Sequence, residues 1–132
     1  MKLIVCVDDR MGLAFGGKRQ SRDRVLIADM LRYVGDAPLY ISPYSEMLFA
    51  GEENLVVTDA PMEKAGENYV FIEAASPQMY ENEIDELVLY RWGRHYPSDF
   101  CLTLDLSKMK LTESCEFAGS SHDNIIKEVY RK

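Results

Sequence analysis

The sequence has no long apolar run. Its longest uninterrupted apolar stretch, Leu3 to Val7, spans five residues. A membrane-spanning helix needs about 20 apolar residues, and the core of a signal peptide needs about 7 to 15. The sequence therefore predicts neither a membrane span nor a membrane partner, and we expect the protein to reside in the cytoplasm.

Histidine and cysteine are also scarce: the chain has two histidines, His95 and His122, and three cysteines, Cys6, Cys101 and Cys115. An odd number of widely spaced cysteines argues against a disulfide framework and a paired-cysteine zinc site, and predicts reduced, mostly buried thiols. Neither Cys101 nor Cys115 has a histidine base nearby in the sequence, so the sequence supports no catalytic triad. We expect no metal, with His95 in a surface loop and His122 in a turn before the last strand.

The composition is that of a globular protein with one core. The chain has 132 residues, of which 47% are apolar and 28% are charged. Domains commonly hold about 100 to 150 residues. Because the sequence contains no internal repeat, low-complexity tract or linker, it predicts a single domain over residues 1–132.

Acidic residues outnumber basic ones, 22 to 15, and the net charge of −7 argues against a nucleic-acid partner. The segment from Arg10 to Arg24 departs from this average. It holds five basic residues, Arg10, Lys18, Arg19, Arg22 and Arg24, against the single acid Asp23. Such a patch indicates either an anion site or a solvated face paired with neighbouring acids, and the sequence leaves both alternatives open.

The first quarter of the chain predicts a strand, a loop and a helix. Lys2–Asp8 reads as a buried strand because its apolar residues do not alternate with polar ones, and Asp9–Gln20 reads as a loop. Ser21 is a plausible N-cap and Gly35 a plausible C-terminal stop for the helix between them. One apolar stripe defines that helix: Ile27, Met30, Leu31 and Val34.

The remaining chain alternates strands with short helices, which favours an α/β fold with a mostly parallel sheet. Strands are predicted at Pro38–Ser42, Asn54–Thr58, Tyr69–Glu73 and Glu86–Trp92, extended segments at Leu102–Leu106 and Met109–Phe117, and short helices at Tyr44–Ala50 and after Pro77. The last segment, Asp123–Arg131, suits an amphipathic helix or a strand, and periodicity does not decide between them.

Several local strings, taken in order, resemble the dihydrofolate reductase family over nearly the whole chain. They are Leu3–Asp9 with Arg10–Gly12, Tyr69–Ile72, Gln78–Tyr80, Asp85–Leu89, Asp105–Leu111 and Val129–Lys132. The resemblance implies a three-layer α/β fold: a mixed, mostly parallel central sheet with helices on both faces and a C-terminal antiparallel hairpin. It therefore implies that Asp123–Arg131 is a strand.

The functional residues of that family transfer poorly to this chain. The family's general acid corresponds to Leu26, and Asp23, one helical turn earlier, is only a weak candidate, with compensation of the helix dipole as its alternative role. The family's glycine pair at the cofactor pyrophosphate corresponds to Glu73–Pro77. Its Gly-Arg-x-Thr signature corresponds to Ser42–Ser45, which lacks the arginine. The resemblance therefore implies the fold of the family. The altered residues at these three sites imply that the chain uses no NADPH and has no reductase activity.

The sequence also resembles small bacterial proteins labelled ribonuclease Z. Members of that enzyme class hold two zinc ions with a His-x-His-x-Asp-His cluster. This chain has no such cluster, since His95 and His122 lie far apart in the sequence. The residues do not support a zinc-dependent nuclease.

The basic segment leaves the carboxyl end of the first strand, which is where ligands bind in open α/β sheets. Arg22 lies near the start of the helix, whose dipole is already positive there, so an anion or an internal carboxylate should offset its charge. We predict an anionic ligand at Lys18, Arg19 and Arg22, with Asp8 at the same edge of the sheet. Internal salt bridges, for example to Asp8 or Asp9, are the alternative.

Three functions are compatible with these observations. The first is a dihydrofolate-reductase-like protein without reductase activity that binds a small anionic or nucleotide-like molecule. The second is an active NADPH-dependent reductase of a pteridine-like substrate. The third is a protein-interaction module, in keeping with a homodimer, because seven methionines and eight tyrosines supply an adaptable surface.

Overall fold

The computed structural model describes residues 1–132 and contains ten β-strands. In chain order they are β1 (Lys2–Val7), β2 (Gly12–Phe15), β3 (Lys18–Arg19), β4 (Leu39–Ile41), β5 (Leu55–Val57), β6 (Tyr69–Phe71), β7 (Glu86–Arg91), β8 (Phe100–Cys101), β9 (Lys110–Phe117) and β10 (Ile125–Arg131). Seven of them form one sheet in the order β5-β4-β6-β1-β7-β10-β9, and β3-β2-β8 form a small second sheet.

The central sheet is parallel from β5 to β7, and β10 and β9 add to it as an antiparallel hairpin. This arrangement confirms the predicted α/β class, the mixed sheet and the C-terminal hairpin. The last segment is therefore a strand. The spacing of the apolar side chains in this segment suits a helix or a strand, and pairing with β7 and β9 makes it a strand.

Strand β1 lies in the middle of the sheet, and its side chains alternate between two cores. Leu3, Val5 and Val7 belong to one core, whereas Ile4 packs with the apolar residues of the first helix in the other. The continuous apolar run that predicts a buried strand therefore reflects burial on both faces.

The structure has two short α-helices, α1 (Arg24–Val34) and α2 (Pro61–Lys64), and three 3-10 helices, Pro43–Phe49, Gln78–Glu83 and Leu106–Lys108. The predicted apolar stripe of α1 faces the sheet, with Met30 and Val34 buried. The helix ends at Gly35, which has a positive φ of 63° and donates its N–H to the carbonyl of Leu31. No helix of the structure combines the length and the apolar character that crossing a bilayer requires.

The prediction of Ser21 as the N-cap of α1 is wrong. Asp23 has the extended backbone of an N-cap (φ −154°), and its carboxylate accepts hydrogen bonds from the N–H groups of Val25 and Leu26. A carboxylate at this position also opposes the positive end of the helix dipole. The Ser21 hydroxyl lies instead within hydrogen-bond distance of His122.

Three other local expectations are corrected. Leu102–Leu106 is not extended throughout: the backbone of Asp105 is extended, but Asp105 caps the 3-10 helix Leu106–Lys108 by accepting the N–H of Ser107. The strand of this region is β8. The predicted loop Asp9–Gln20 contains the hairpin β2–β3. Cys101 and Cys115 are exposed rather than buried.

Candidate functional site

A narrow cavity lies between the start of α1 and the carboxyl ends of β1 and β6. Its apolar wall includes Cys6, Leu13, Leu26, Phe71 and Trp92. The cavity has a volume of about 20 Å³, which holds about one water molecule. Leu26 is fully buried in this wall, at the position where the family resemblance would place a general acid.

An ion pair between Arg19 and Glu73 borders this cavity. Arg19 donates from Nε to Oε1 (2.7 Å) and from Nη2 to Oε2 (2.9 Å) of Glu73, and Ser45 donates to Oε2 at 2.7 Å. The guanidinium lies 4.3 Å from the centre of the Tyr44 ring and donates to the Tyr44 carbonyl. We call Arg19, Tyr44, Ser45 and Glu73 the hairpin clamp, since they fasten β3 to the 3-10 helix Pro43–Phe49 and to the loop after β6.

An open groove of about 570 Å³ continues from the cavity along the start of α1. Arg22, Ile27 and Leu48 line both spaces. The open groove is also lined by Asp23, Arg24, Met47, Ser120 and Ser121. It therefore combines an apolar floor with two guanidinium groups and two hydroxyl groups.

Asp23 is buried at the end of this open groove and accepts an unusually large set of hydrogen bonds. The donors are the N–H groups of Val25 (2.9 Å), Leu26 (3.2 Å), Ser120 (2.9 Å) and Ser121 (2.8 Å), the Ser121 hydroxyl (3.2 Å) and His122 Nδ1 (3.0 Å). Burial alone would raise the pKa of Asp23, but the hydrogen bonds, those from Ser121 and His122 foremost, outweigh it and hold this pKa well below its ordinary value. The carboxylate stays ionised at neutral pH, a state that opposes a general-acid role.

His122 continues this network on the other side of its ring. Its Nε2 lies 2.7 Å from the Tyr96 hydroxyl and 3.1 Å from the Ser21 hydroxyl. The indole of Trp92 stacks on the imidazole at 4.6 Å between ring centres, with 28° between the planes. His122 lies in the connection before β10, as predicted, and its side chain is buried.

A second groove, of about 580 Å³, lies on the other side of the hairpin clamp, between α2 and the loop after β6. It contains the two segments that depart from the family signatures, since Ser42, Tyr44, Glu73, Ala74 and Ala75 line it. Asp59 and Glu63 line it as well, and no lysine or arginine does. We call this space the acidic groove.

The structure brings together only part of the predicted ligand site. Arg19 and Arg22 line the narrow cavity, whereas Lys18 and Asp8 line neither the cavity nor the open groove. For Arg19 the structure shows the alternative of an internal salt bridge, with Glu73 as the partner. Asp8 and Asp9, named as examples of internal partners, form no salt bridge.

The carboxylate of Asp8 organises the chain after β1. It accepts hydrogen bonds from the N–H groups of Gly12 (2.7 Å), Arg10 (2.9 Å) and Tyr96 (3.2 Å) and from Gln20 Nε2 (3.2 Å). Burial opposes its ionisation, but these donors outweigh burial and lower the pKa of Asp8. Both carboxylate oxygens of Asp8 are therefore occupied by hydrogen bonds from within the protein.

Sequence reasoning missed the contacts among Ser21, Asp23, Tyr96 and His122. Ser21 and His122 are 101 residues apart in the chain, and Asp23 and His122 are 99 apart. No local pattern signals such a contact. Its only hint in the sequence is a lone histidine just before the last strand, whose partners are set by tertiary packing.

The comparisons with known proteins fit this architecture. No protein-family model and no curated protein matches the sequence. Among solved structures, the dihydrofolate reductase of Enterococcus faecalis, in complex with NADP(H) and RAB-propyl, matches with a TM-score of 0.69. The match covers 98% of this chain and 94% of the reductase chain. The fold is that of dihydrofolate reductase. At 12% sequence identity, the match concerns the fold alone.

On this dihydrofolate reductase fold, the residues that the resemblance identified as altered are near one another in space. Leu26 lines the narrow cavity, and Glu73 lies between that cavity and the acidic groove. No group of three or more histidine, cysteine, aspartate or glutamate side chains is arranged to hold a metal ion. The structure thus offers no cluster of the kind that a binuclear zinc nuclease uses.

Proposed function

We propose that this chain is a protein with the dihydrofolate reductase fold that lacks reductase activity and binds a small anionic, nucleotide-like molecule in the open groove. The observation that supports this proposal is the state of Arg22 and Arg24. Both guanidinium groups border the open groove, and neither has a carboxylate partner, although the chain carries a net charge of −7.

The ligand class follows from the lining of the open groove. Ile27, Met47 and Leu48 offer an apolar surface against which a flat ring packs, and Met47 is 65% exposed in the present structure. Arg22 and Arg24 offer charge-assisted hydrogen bonds to a phosphate or carboxylate. A nucleoside monophosphate combines both features. Lys18, exposed on β3, is outside this groove, so we do not assign it a contact.

NADPH, the cofactor that the fold family uses, does not fit the residues of the acidic groove. Its pyrophosphate would face the carboxylates of Asp59, Glu63 and Glu73 without a lysine or arginine in the lining. Like charges at about 4 Å repel by about 1 kcal/mol each even in a high-dielectric environment. The only nearby guanidinium, that of Arg19, already makes two hydrogen bonds to Glu73.

A proton donor for pteridine reduction is also missing. Leu26 has no acidic proton, and the Asp23 carboxylate turns away from the narrow cavity towards Ser120, Ser121 and His122. The cavity itself has room for about one water molecule, which is far less than a pteridine ring requires. These features support a protein that binds its ligand without catalysing pteridine reduction.

Calorimetric titration with adenosine monophosphate tests the proposal. We expect binding to the unmodified protein and a loss of affinity of at least tenfold on Arg22→Ala with Arg24→Ala, because a hydrogen bond to a charged group contributes about 1.5 to 3 kcal/mol. Arg94→Ala is the matched control, since Arg94 is exposed, forms no ion pair and lines neither groove. Equal affinity of the double variant and the unmodified protein would contradict the proposed site.

An assay with dihydrofolate and NADPH tests the second half of the proposal. We expect NADPH oxidation no faster than in the absence of protein, because no residue of the narrow cavity can donate the proton that pteridine reduction requires. Protein-dependent turnover would refute the loss of reductase activity.

A further inference from the structure

We infer that Ser21 is a reactive nucleophile, activated by His122 and oriented through Asp23, and that this site hydrolyses esters with a short acyl group. Ser21 and Asp23 contact the two different ring nitrogens of His122. Ser21 Oγ is 3.1 Å from His122 Nε2, and His122 Nδ1 is 3.0 Å from Asp23 Oδ2. A hydroxyl, an imidazole and a buried carboxylate in this order form the arrangement by which hydrolases activate serine.

The hydrogen-bond partners of His122 fix its tautomer. An ionised carboxylate only accepts hydrogen bonds, so Nδ1 carries the proton donated to Asp23, and the Nε2 lone pair faces the hydroxyl groups. The side chains of Asp23 and His122 are 0% and 1% exposed, and the Trp92 ring holds the plane of the imidazole. The base is therefore oriented and shielded from water before any substrate binds.

Ser21 is the member of this group that reaches a ligand-accessible space. It lines the narrow cavity together with Arg22, whereas His122 and Asp23 do not. A cavity of about 20 Å³ matches the methyl group of an acetyl ester and excludes long acyl chains. Arg22 supplies cationic N–H groups at the border of this cavity, where negative charge develops on a carbonyl oxygen under attack.

The reaction proceeds in two balanced steps. Ser21 Oγ attacks the ester carbonyl carbon as its proton passes to His122 Nε2, and the bond to the leaving alcohol breaks as His122 returns that proton to the alcohol oxygen. Water then attacks the acyl-Ser21 ester, gives a proton to His122, and the acyl–Oγ bond breaks as the proton returns to Oγ. The net result is ester plus water giving acid plus alcohol, and Asp23 remains ionised throughout.

Tyr96 competes with Ser21 for the base. Its hydroxyl lies closer to His122 Nε2, at 2.7 Å, and it is also 3.4 Å from Ser21 Oγ. Tyr96 does not line the narrow cavity, so it is a positioning residue in this proposal. Removing the Tyr96 hydroxyl frees the lone pair of Nε2 for Ser21.

A small neutral alkyl fluorophosphonate tests the nucleophile directly. It reacts by forming an Oγ–P bond as fluoride leaves, and mass spectrometry of peptides locates the adduct. We expect the adduct on Ser21 in the unmodified full chain. After Ser21→Ala, the total rate of labelling of the chain should be at least a hundredfold lower. Ser114→Ala is the matched control and should label at the unmodified rate, because Ser114 is exposed on β9, away from both grooves.

Tyr96→Phe separates a reactive site from a purely structural network. Because the competing hydroxyl is lost, we expect faster labelling of Ser21 and faster hydrolysis of p-nitrophenyl acetate, while the octanoate ester remains a poor substrate. No adduct on Ser21, equal labelling of the Ser21→Ala variant, or an adduct on Tyr96 would each overturn the proposal. Because the fluorophosphonate is uncharged, this result does not depend on whether Arg22 and Arg24 bind an anion, which the nucleotide titration tests separately.

Discussion

Arg19 and Glu73, which are 54 residues apart in the chain, form two hydrogen bonds of 2.7 and 2.9 Å across the carboxyl edge of the central sheet. The arginine belongs to the hairpin that follows β1, and the glutamate follows β6. Their ion pair holds this hairpin next to the narrow cavity. It also keeps the Arg19 guanidinium out of the lining of the acidic groove. The same contact therefore borders the narrow cavity and leaves the acidic groove without a free cation in its lining.

Breaking this ion pair should destabilise the fold. Arg19→Met leaves the Glu73 carboxylate, whose side chain is only 7% exposed, without its partner. Loss of one partner of a buried pair costs about 3 kcal/mol or more. We expect a loss of that size in the free energy of unfolding measured with urea at neutral pH.

The control for Arg19 is Arg32→Met. Arg32 pairs with Asp29 at 3.5 Å, and its side chain is 70% exposed. An exposed pair of this kind contributes about 0.5 kcal/mol or less to stability. The free energy of unfolding of Arg32→Met should therefore be nearly that of the unmodified protein. Similar losses for the two variants would show that the hairpin clamp has no special role.

Gly119 allows the close approach of the connection before β10 to Asp23. A Cβ atom at Gly119 would collide with Asp23 Oδ2 and lie 2.7 Å from both Asp23 Cγ and Ile125 Cδ1. Because the carboxylate is held by several donors and cannot move freely, Gly119→Ala should reduce the free energy of unfolding by about 2 kcal/mol. Ala118→Ser, at the exposed neighbouring position, should change it by less than about 0.5 kcal/mol. Equal stabilities in thermal unfolding would argue against this tight contact.

The hydrogen bonds to Asp23 predict a specific dependence of stability on pH. Its pKa is lower in the folded state than in the unfolded chain, where an aspartate has a pKa of about 3.9. The contribution of Asp23 is therefore complete above that pH and is lost as the pH falls towards its folded pKa. We expect the difference in unfolding free energy between the unmodified protein and Asp23→Asn to shrink from pH 5 to about pH 2.5.

Asp36→Asn provides the comparison for this pH series. Asp36 is exposed and makes no side-chain hydrogen bond, so its replacement should leave the unfolding free energy nearly unchanged throughout the series. A constant difference between the unmodified protein and Asp23→Asn over the same range would show that Asp23 is not held in its ionised form by the fold.

The sequence predicts the parts of the fold whose signals are local. Strand β1 follows from a run of five apolar residues, and α1 from an apolar stripe that ends at a glycine. The N-cap prediction was wrong, because Asp23 and not Ser21 caps α1. The segment expected to be extended up to Leu106 stops one residue earlier, because Asp105 caps a 3-10 helix that begins at Leu106. Both acids act through backbone contacts that composition does not reveal.

The candidate site is less predictable than the fold, because its residues meet only in three dimensions. The basic segment from Arg10 to Arg24 is evident in the sequence, but its side chains lie at different sites in the structure. Arg19 forms an ion pair with Glu73, whereas Arg22 borders the open groove. Apart from the neighbouring Ser121, the hydrogen-bond partners of the His122 side chain are 26 to 101 residues away in the chain. A single sequence contains no pattern that joins them.

Ligand binding in the open groove is measured most directly by an amide NMR titration of the isotopically labelled protein with adenosine monophosphate and, separately, with NADPH. We expect adenosine monophosphate to shift the amide signals of Arg22, Arg24, Ser120 and Ser121, which border the open groove, and neither compound to shift those of Asp59, Glu63 and Ala74 in the acidic groove. Saturable shifts in the acidic groove on addition of NADPH, with none along the open groove for either compound, would show that the acidic groove and not the open groove binds nucleotides.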